Sequence, residues 1–362
     1  MRLIPANSGE AGRLAAAWPQ PGGDIPFFLS AAWIGSLLQT APDPSGLHLL
    51  ADGDRPLAVL GQRVVVRHRV LRVRQWLLNE TGDGQFDRIA LEYNGFACPG
   101  NDTATAEVIL SWLMQNLSAA DELVIRNATA ATAAALDKAA AATRWRVRAI
   151  NDAPAAVLDL EEVRARGGDF LETLGKNTRA AIRRANRLYA SKGPIRVRPA
   201  RSVAEALSWF ETMAALHAAS WQGRTAHHAF TNPHFRPFHR ALIERALPHG
   251  HADLLRIAAG EDDIGYLYNF AADGWVMAYQ SGLTRPPDNR WKPGLVSHAA
   301  AIAFCLERGD RWYDFLAGPA RYKTSLANRE IPMKSLVAFA PRWDLRLEDA
   351  ARRLKTRRKN LG

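Results

Sequence analysis

Residues 275–323 read WVMAYQSGL, TRPPDNRWKPG, LVSHAAAIAFCLERG and DRWYDFLAGPARYK in four consecutive pieces. The first piece alternates like a strand, which predicts that Tyr279 and Ser281 share one face. The second is a proline-rich loop, the third has apolar residues at helical spacing as far as Gly309, and the fourth holds a short apolar strand. We therefore predict a β-α-β unit whose helix begins directly after Pro293-Gly294.

A helix that begins in this way leaves backbone N–H groups and the positive end of its dipole facing outward. Such a terminus suits a bound pyrophosphate, and Gly294 has no side chain to block a close approach. A Pro-Gly pair is also an ordinary helix start, so these two residues alone leave both interpretations open.

The composition is that of a soluble globular protein. The chain has 362 residues, 48% hydrophobic and 23% charged, which fits two domains of ordinary size or one large one. No apolar run is long enough to span a bilayer, and the first residues, MRLIPANSGE, lack the apolar core of a signal peptide. The two cysteines, Cys98 and Cys305, form no CxxC motif. Buried thiols in a reducing compartment are expected, which predicts a cytoplasmic protein without a metal site.

Positive charge is concentrated in two segments of a chain whose net charge is +11. Residues 164–201 contain eleven Lys or Arg against two acids, and the segment ARRLKTRRKN near the C-terminus contains six basic residues and no acid. Such patches attract phosphorylated substrates, nucleotides, RNA or anionic lipid surfaces. A surface that is simply rich in arginine is the alternative, and it explains the C-terminal segment better than the central one.

The central segment places four cations along one stripe of a predicted helix: Lys176, Arg179, Arg183 and Arg187. Their spacing of three and four residues puts them on the same face, where like charges cost stability. A bound polyanion would explain the arrangement, so we predict that this basic stripe binds the substrate's phosphates. A solvated helix face remains the alternative.

The order of predicted elements indicates a mixed α/β fold with tandem halves. We predict a first α/β domain over residues 1–150, a second over 151–342, and a basic C-terminal helix and tail over 343–362. The second domain opens at Ala155–Leu160 and continues with predicted helices over 170–189, 203–221 and 232–247 and a strand over 195–198. Three strands in an antiparallel meander then lead into the β-α-β unit. No GxGxxG, GxxxxGK[ST] or HExxH motif occurs.

Several stretches together resemble the acetyltransferase-like domain of CelD-type proteins, which belong to the GNAT superfamily and are relatives of the FemABX aminoacyltransferases. The stretches are LGKNTRAAIRRANRL (174–188), LHAASWQGR (216–224), IGYLYNF with AYQSGL (264–283), WKPGLVSHAAAIAFCLERG (291–309), YDFLAGPARYKTSLA (313–327), FFLSAAW (27–33) and IALEYNGF (89–96). The resemblance covers most of residues 24–340. It implies two GNAT-like halves and the transfer of an acyl group to an amine or hydroxyl.

The resemblance also implies where the acyl donor binds. In GNAT folds two strands splay apart, the donor lies between them, and its pyrophosphate sits at the following helix. The donor would then bind along Tyr279, Ser281, Gly282 and Leu283, with its phosphates at Lys292, Gly294, Leu295 and Val296. The family's usual Q/R-x-x-G-x-G/A loop is missing apart from Gly294. The donor is therefore left open between acetyl-CoA or another acyl-CoA and the aminoacyl-tRNA that FemABX relatives use.

Acyl transfer needs a base for the nucleophile and an acid for the leaving group. His217, one helical turn before Trp221, is the candidate base or a structural histidine, and Trp221 is a candidate acceptor contact. Asp314 is either a base or the partner of Lys323 or Arg321. Tyr322 stands where many GNAT enzymes keep a tyrosine that protonates the thiolate, so it is the candidate acid; it could also be a packed aromatic.

The other candidates are less specific. Lys323 could hold an anionic substrate or neutralise Asp314. Four neighbouring histidines are not accompanied by the cysteines or carboxylates of a zinc site, which favours a loop that lines the acceptor cleft. They are His227, His228, His234 and His239.

Three functions follow as hypotheses. The first is a cytoplasmic acyltransferase that acts on an amine of a sugar-nucleotide or lipid-linked saccharide precursor of an exopolysaccharide. The second is a FemABX-like transferase that uses aminoacyl-tRNA and acts on a peptidoglycan precursor. The third is a non-catalytic effector whose basic patches bind a nucleotide second messenger or an acidic partner. Peripheral association with a membrane is compatible with all three.

Overall fold

The computed structural model describes residues 1–98, 102–117, 120–221 and 228–359, with side chains as far as residue 354. The described chain forms two compact units. The first comprises Met1–Pro19, Ala41–Ala153 and Met333–Gly362, and the second comprises Gln20–Thr40 and Pro154–Pro332. Each unit is built around one mixed sheet of seven strands, which confirms the mixed α/β class.

The N-terminal part of the chain runs β1 Arg2–Pro5, α1 Gly9–Ala16, α2 Ala31–Thr40, β2 Leu47–Asp52, β3 Arg55–Arg67, β4 Leu71–Leu78, α3 Thr103–Asn116, β5 Glu122–Ala128, α4 Ala130–Thr143 and β6 Arg146–Asp152. Helix α2 belongs to the second unit and the other elements to the first. In the first sheet β4 and β5 pair in parallel on either side of α3.

The remainder runs β7 Ala155–Asp159, α5 Leu160–Ala165, α6 Phe170–Thr173, α7 Lys176–Ala190, β8 Ile195–Pro199, α8 Val203–Trp221, α9 Phe235–Ala246, β9 Ala252–Ala259, β10 Asp262–Ala272, β11 Trp275–Leu283, α10 Pro293–Arg308, β12 Trp312–Ala317, α11 Arg321–Leu326, β13 Arg329–Ile331, β14 Lys334–Phe339 and α12 Trp343–Lys359. The second sheet has the order β13-β7-β12-β11-β10-β9-β8. Strands β9, β10 and β11 pair antiparallel, and β11 pairs parallel with β12. The predicted meander and β-α-β unit are both present.

The predicted domain boundaries, after residues 150 and 342, place two segments in a different unit from the one in which the structure has them. Strand β14 pairs with β5 and β6, so it completes the first sheet. Phe27, Phe28 and Trp33 pack against Phe270 of the second unit, with the rings of Phe27 and Phe270 stacked 4.2 Å apart. Buried aromatic surface and strand pairing, rather than position along the chain, therefore assign these segments.

The long helix expected over 170–189 is interrupted. Helix α6 ends at Thr173, Leu174 is extended and buried, and Gly175 caps the start of α7. The side chain of Leu174 packs in the same core cluster as Phe170 and Ile182. Helix α7 still carries the whole basic stripe.

Helix α8 approaches β11 closely because position 282 has no side chain. A Cβ on Gly282 would lie 2.3 Å from the carbonyl oxygen of Met213, a backbone atom that has no room to move. We expect Gly282→Ala to destabilise the second unit by about 3 kcal/mol and to lower its thermal midpoint by roughly 6–12 °C. Gly175→Ala is the matched control, since nothing lies within 4 Å of a Cβ there. Equal midpoints for the two variants in a calorimetric scan would contradict this close approach.

Candidate active site

The two central strands of the second unit separate towards their C-terminal ends. Strands β11 and β12 are paired only from Trp275 to Met277 and from Trp312 to Asp314. Beyond these residues no described pair joins the two strands, although β11 continues to Leu283. Parallel strands that separate leave a cleft at their carboxyl ends, where open α/β sheets bind ligands.

A β-bulge in β11 decides which side chains face this region. Tyr268 pairs with Gln280 and Asn269 with Ala278, so Tyr279 is the extra residue. Ser281 is paired with Leu267, which lies in the core beneath α10, whereas the ring of Tyr279 packs 4.8 Å from Phe270 on the opposite face. The prediction that Tyr279 and Ser281 share a face is therefore wrong, because it assumed unbroken alternation. Tyr279 belongs to an aromatic core and Ser281 to the face of α10.

His217 lies where β11 is no longer covered by β12. Its Nδ1 is 3.0 Å from the carbonyl oxygen of Ser281. A carbonyl only accepts, so Nδ1 carries the proton and Nε2 carries the lone pair. This Nε2 is buried and has no hydrogen-bond partner among the described residues. Burial lowers the pKa of His217, the bond to Ser281 opposes that shift, and nearby His228 adds to it. The ring is thus a neutral base at neutral pH.

Aromatic and imidazole rings surround His217. Trp221 lies 6.0 Å away between ring centroids, and His228 and Phe230 each lie 5.2 Å away. His217 and Trp221, which are one helical turn apart in the sequence, are therefore neighbours in the structure. His227 lies outside the described residues.

His239 does not line a cleft, contrary to the expectation for the histidine group. It is fully buried, and its ring lies 4.1 Å from Phe235 and 5.0 Å from Tyr279. Helix α9 turns it towards the sheet because Phe238 and Leu242 share its buried side. Burial lowers the pKa of His239 well below its usual value, so it is a neutral core residue.

The N-terminus of α10 has the geometry expected for an anion site. Lys292 precedes it in a left-handed conformation with φ 44°, Pro293 is the first helical residue, and no side chain caps the end. In the first turn the amides of Gly294 and Leu295 have no acceptor within the helix. A Cβ on Gly294 would lie 3.2 Å from Cδ1 of Leu283, so this turn lies directly against the end of β11.

Val296 does not take part as predicted. Its amide donates to the carbonyl of Lys292 at 3.1 Å, and its side chain is buried in the core. The anion-binding turn is therefore shorter than the sequence suggested.

Asp314 and Lys323 hold one backbone turn at the end of β12. The buried carboxylate of Asp314 accepts from the indole of Trp275 at 3.1 Å and from the amide of Leu316 at 2.7 Å. Lys323 Nζ donates to the carbonyls of Leu316 and Ala317, at 3.3 and 2.6 Å. Leu316 adopts φ 61°, which is costly for a branched residue, so both side chains stabilise a strained turn.

Tyr322 packs against a histidine that the sequence did not single out. Its ring is stacked on His298 of α10 at 5.2 Å, and it remains 38% exposed. Burial raises the pKa of Tyr322, so its hydroxyl keeps its proton at neutral pH. Burial and then the charge of Lys323 lower the pKa of His298 to about 4, and its Nδ1 lies 3.0 Å from the hydroxyl of Tyr313. In the sequence, the only sign of this contact was a histidine on the inner side of α10.

The basic stripe is partly neutralised. Glu172 in α6 accepts from both Arg179 and Arg183. Lys176 and Arg187 are exposed. The repulsion between the cations of the stripe is therefore smaller than the sequence implied, because the break before α7 places the carboxylate of Glu172 beside two of them.

In the first unit the corresponding gap between parallel strands is bridged by the chain itself. Asn94 donates its amide to the carbonyl of Asn127 in β5 at 2.9 Å. Its side-chain Nδ2 donates to the carbonyl of Leu78 at the end of β4, at 3.0 Å. Asn94 is fully buried. The place that stays open in the second unit is thus filled in the first.

Among the residues that the structure describes, no group of three or more His, Cys, Asp or Glu side chains could hold a metal ion. Over the same residues, no helix combines the length and hydropathy needed to cross a bilayer.

Comparisons with known proteins identify one matching domain and a fold. Residues 176–324 match the model of an acetyltransferase (GNAT) domain. No curated protein matches the chain by sequence. The chain resembles the crystal structure of FemX, with TM-score 0.54 and 9% identity over 95% of this chain and 98% of that one.

Two further structures share this architecture. L-PGS from Bacillus licheniformis gives TM-score 0.50 and 11% identity over 93% of this chain and 92% of that one. A C-terminal domain named for a lysylphosphatidylglycerol synthetase, from Agrobacterium fabrum, gives TM-score 0.50 and 11% identity over 89% of each chain. The comparisons therefore show a GNAT acetyltransferase domain over residues 176–324 and a FemX-like fold over nearly the whole chain.

Proposed function

We propose that the protein transfers an acyl group, acetyl in the first instance, from acyl-CoA to an amine of a sugar-nucleotide or lipid-linked saccharide precursor of an exopolysaccharide. The observation that carries this proposal is His217, whose unpartnered Nε2 lies at the open end of β11. A neutral imidazole held by its other nitrogen is the arrangement that a general base requires. The proposed setting is the cytoplasm, and no metal takes part.

The donor binds in the cleft between β11 and β12. Its thioester arm lies along Ser281, Gly282 and Leu283, and its pyrophosphate accepts from the amides of Gly294 and Leu295. Lys292 adds a positive charge beside this turn. This placement of the donor is supported by the closeness of the first turn of α10 to the end of β11, since a Cβ on Gly294 would touch Leu283.

In the reaction, Nε2 of His217 takes a proton from the acceptor's ammonium group. The amine then attacks the thioester carbonyl, so that a C–N bond forms and the C–S bond breaks. The hydroxyl of Tyr322 gives its proton to the leaving thiolate. The second proton that the nitrogen loses as the amide forms restores the Tyr322 hydroxyl through solvent, and His217 releases the first proton to solvent. Asp314 and Lys323 position the turn that carries Leu316 rather than react themselves.

The acceptor's phosphates are assigned to the exposed part of the basic stripe, Lys176 and Arg187, with Trp221 packing against the sugar. One structural neighbour is named for the synthesis of lysylphosphatidylglycerol, a product that contains a phosphate, which is compatible with an acceptor that carries phosphate. Carbohydrate rings pack well on indole faces, which suits Trp221 beside the base.

A FemABX-like reaction with aminoacyl-tRNA is the second candidate. It is favoured by the loss of the family's pyrophosphate loop apart from Gly294, which is followed by the bulky residues Leu295 and Val296. The basic stripe would then bind the tRNA backbone.

Isothermal calorimetry with acetyl-CoA, CoA and aminoacylated tRNA distinguishes the two donors. The first proposal expects acetyl-CoA and CoA to bind with micromolar dissociation constants, with tRNA binding weaker and lost on adding salt. Binding of charged tRNA together with no binding of either CoA species would replace it with the second. If neither class of donor binds, the proposed donor cleft is wrong.

A further inference from the structure

Helix α12 has an inner face that is firmly attached to the first unit. Leu345 is 2% exposed and packs with Val73 and Phe339. Two of the helix's acids, Glu348 and Asp349, also point inward, where Glu348 binds Arg67 at 3.0 Å and Asp349 lies 3.7 Å from Arg148. Apolar packing and these two ion pairs therefore make the helix a fixed part of the first unit.

The outer face of α12 is apolar and exposed. Trp343, Leu347 and Leu354 are 75%, 61% and 62% exposed, and we call these three residues the docking face. Their spacing of four and seven residues puts them on one side of the helix, within about 40° of each other at 3.6 residues per turn. Ala350 lies between them and is also exposed. A tryptophan and two leucines aligned in water form a patch that soluble proteins normally avoid.

The charge of α12 shows what kind of surface this patch fits. The helix sequence has seven basic residues against three acids. Glu348 and Asp349 also bind Arg352 and Arg353, one turn further along the helix, at 2.5 and 2.8 Å. The remaining positive charge of the helix lies mainly near its C-terminal end, where residues 355–359 contain four Lys or Arg and no acid. An apolar stripe bordered by Lys and Arg, with tryptophan at one end, is typical of helices that lie in the interface of an anionic membrane.

We propose that the docking face of α12 binds the protein to an anionic lipid surface. Trp343, Leu347 and Leu354 enter the boundary between headgroups and acyl chains, while the basic residues contact lipid phosphates. A second copy of the chain is a poorer occupant, because pairing two such helices would bring two sets of basic residues together. The proposal concerns lipid binding alone and does not depend on the proposed acyl transfer.

Flotation with lipid vesicles tests the proposal. We expect the full-length protein to float with vesicles of equal parts phosphatidylglycerol and phosphatidylcholine, and to bind phosphatidylcholine alone at least about tenfold more weakly. The double variant Trp343→Ser, Leu347→Ser should lose a similar factor on the anionic vesicles. Higher salt should weaken binding, as the Debye length shortens.

Val108→Ser is the matched control, because Val108 is 62% exposed on α3 of the same unit. It should bind vesicles like the unsubstituted protein, and all variants should keep their thermal midpoints because the changed side chains are exposed. Equal binding by the double variant and the unsubstituted protein would overturn the proposal. So would an absence of binding to anionic vesicles, or a dimer in sedimentation that the double variant abolishes.

Discussion

Replacing His217 with asparagine should lower kcat by about 10²–10⁴-fold while leaving donor binding unchanged. Asparagine places an amide N–H near the position of Nδ1, so the bond to the Ser281 carbonyl can persist. It supplies no base at the position of Nε2. The rate is measured by release of CoA from acetyl-CoA with UDP-glucosamine as the amine probe, and donor binding by calorimetry.

His251→Asn is the matched control for this change. Nδ1 of His251 lies 3.2 Å from the carbonyl of Ala271, which is the same kind of bond at a different strand. Its kcat should stay within about twofold of the unsubstituted value, as for a substitution away from the site. Hydroxylamine, an amine that is unprotonated at neutral pH, should react with the His217 variant with a much smaller loss, because it needs no base. An equal loss with both acceptors would assign His217 a structural role.

The pH dependence of the same reaction follows from the burial of His217. Burial lowers its pKa below the usual value of about 6.5, so the neutral, active form persists into mildly acidic solution. The acidic limb of kcat/KM should therefore have its midpoint below pH 6.5, with activity lost as the pH falls through it. A midpoint above pH 7 would be inconsistent with a buried, neutral base.

Gly294→Asp should weaken acetyl-CoA binding by at least about a hundredfold. The new side chain adds a negative charge where the pyrophosphate would accept from the first turn of α10, and like charges at that distance repel strongly. Its Cβ would also lie 3.2 Å from Leu283, so β11 and α10 would have to move apart. Calorimetric titration with acetyl-CoA measures the loss.

Asn289→Asp is the control for charge alone. Asn289 is exposed shortly before α10, and the change adds the same charge without changing the side chain's size. Its effect on the dissociation constant should be no more than a few-fold, since exposed charges are screened. Full binding by Gly294→Asp would mean that the donor does not use this helix terminus.

Local patterns predicted much of the second unit. The meander and the helix after Pro293-Gly294 were predicted because strand and helix periodicities are properties of short segments. The candidate base and acid were also found in the sequence, from residue type and from resemblance. What the sequence could not show was the face that each side chain takes. One bulge at Tyr279, opposite Tyr268 and Asn269, breaks the alternation of side chains in β11, and the pairing with β10 decides where it falls.

Contacts between segments that are far apart in the sequence decided the rest of the fold and of the candidate site. By itself the sequence determined the mixed α/β class, a resemblance to the GNAT superfamily and most of the elements, because these depend on local periodicity and on motifs in order. Only the tertiary structure showed that β14 completes the first sheet, that Asn94 fills the first unit's gap and that His298 supports Tyr322. Each of these is a contact between segments far apart in the chain, whose energy comes from burial and hydrogen bonds that no local pattern records.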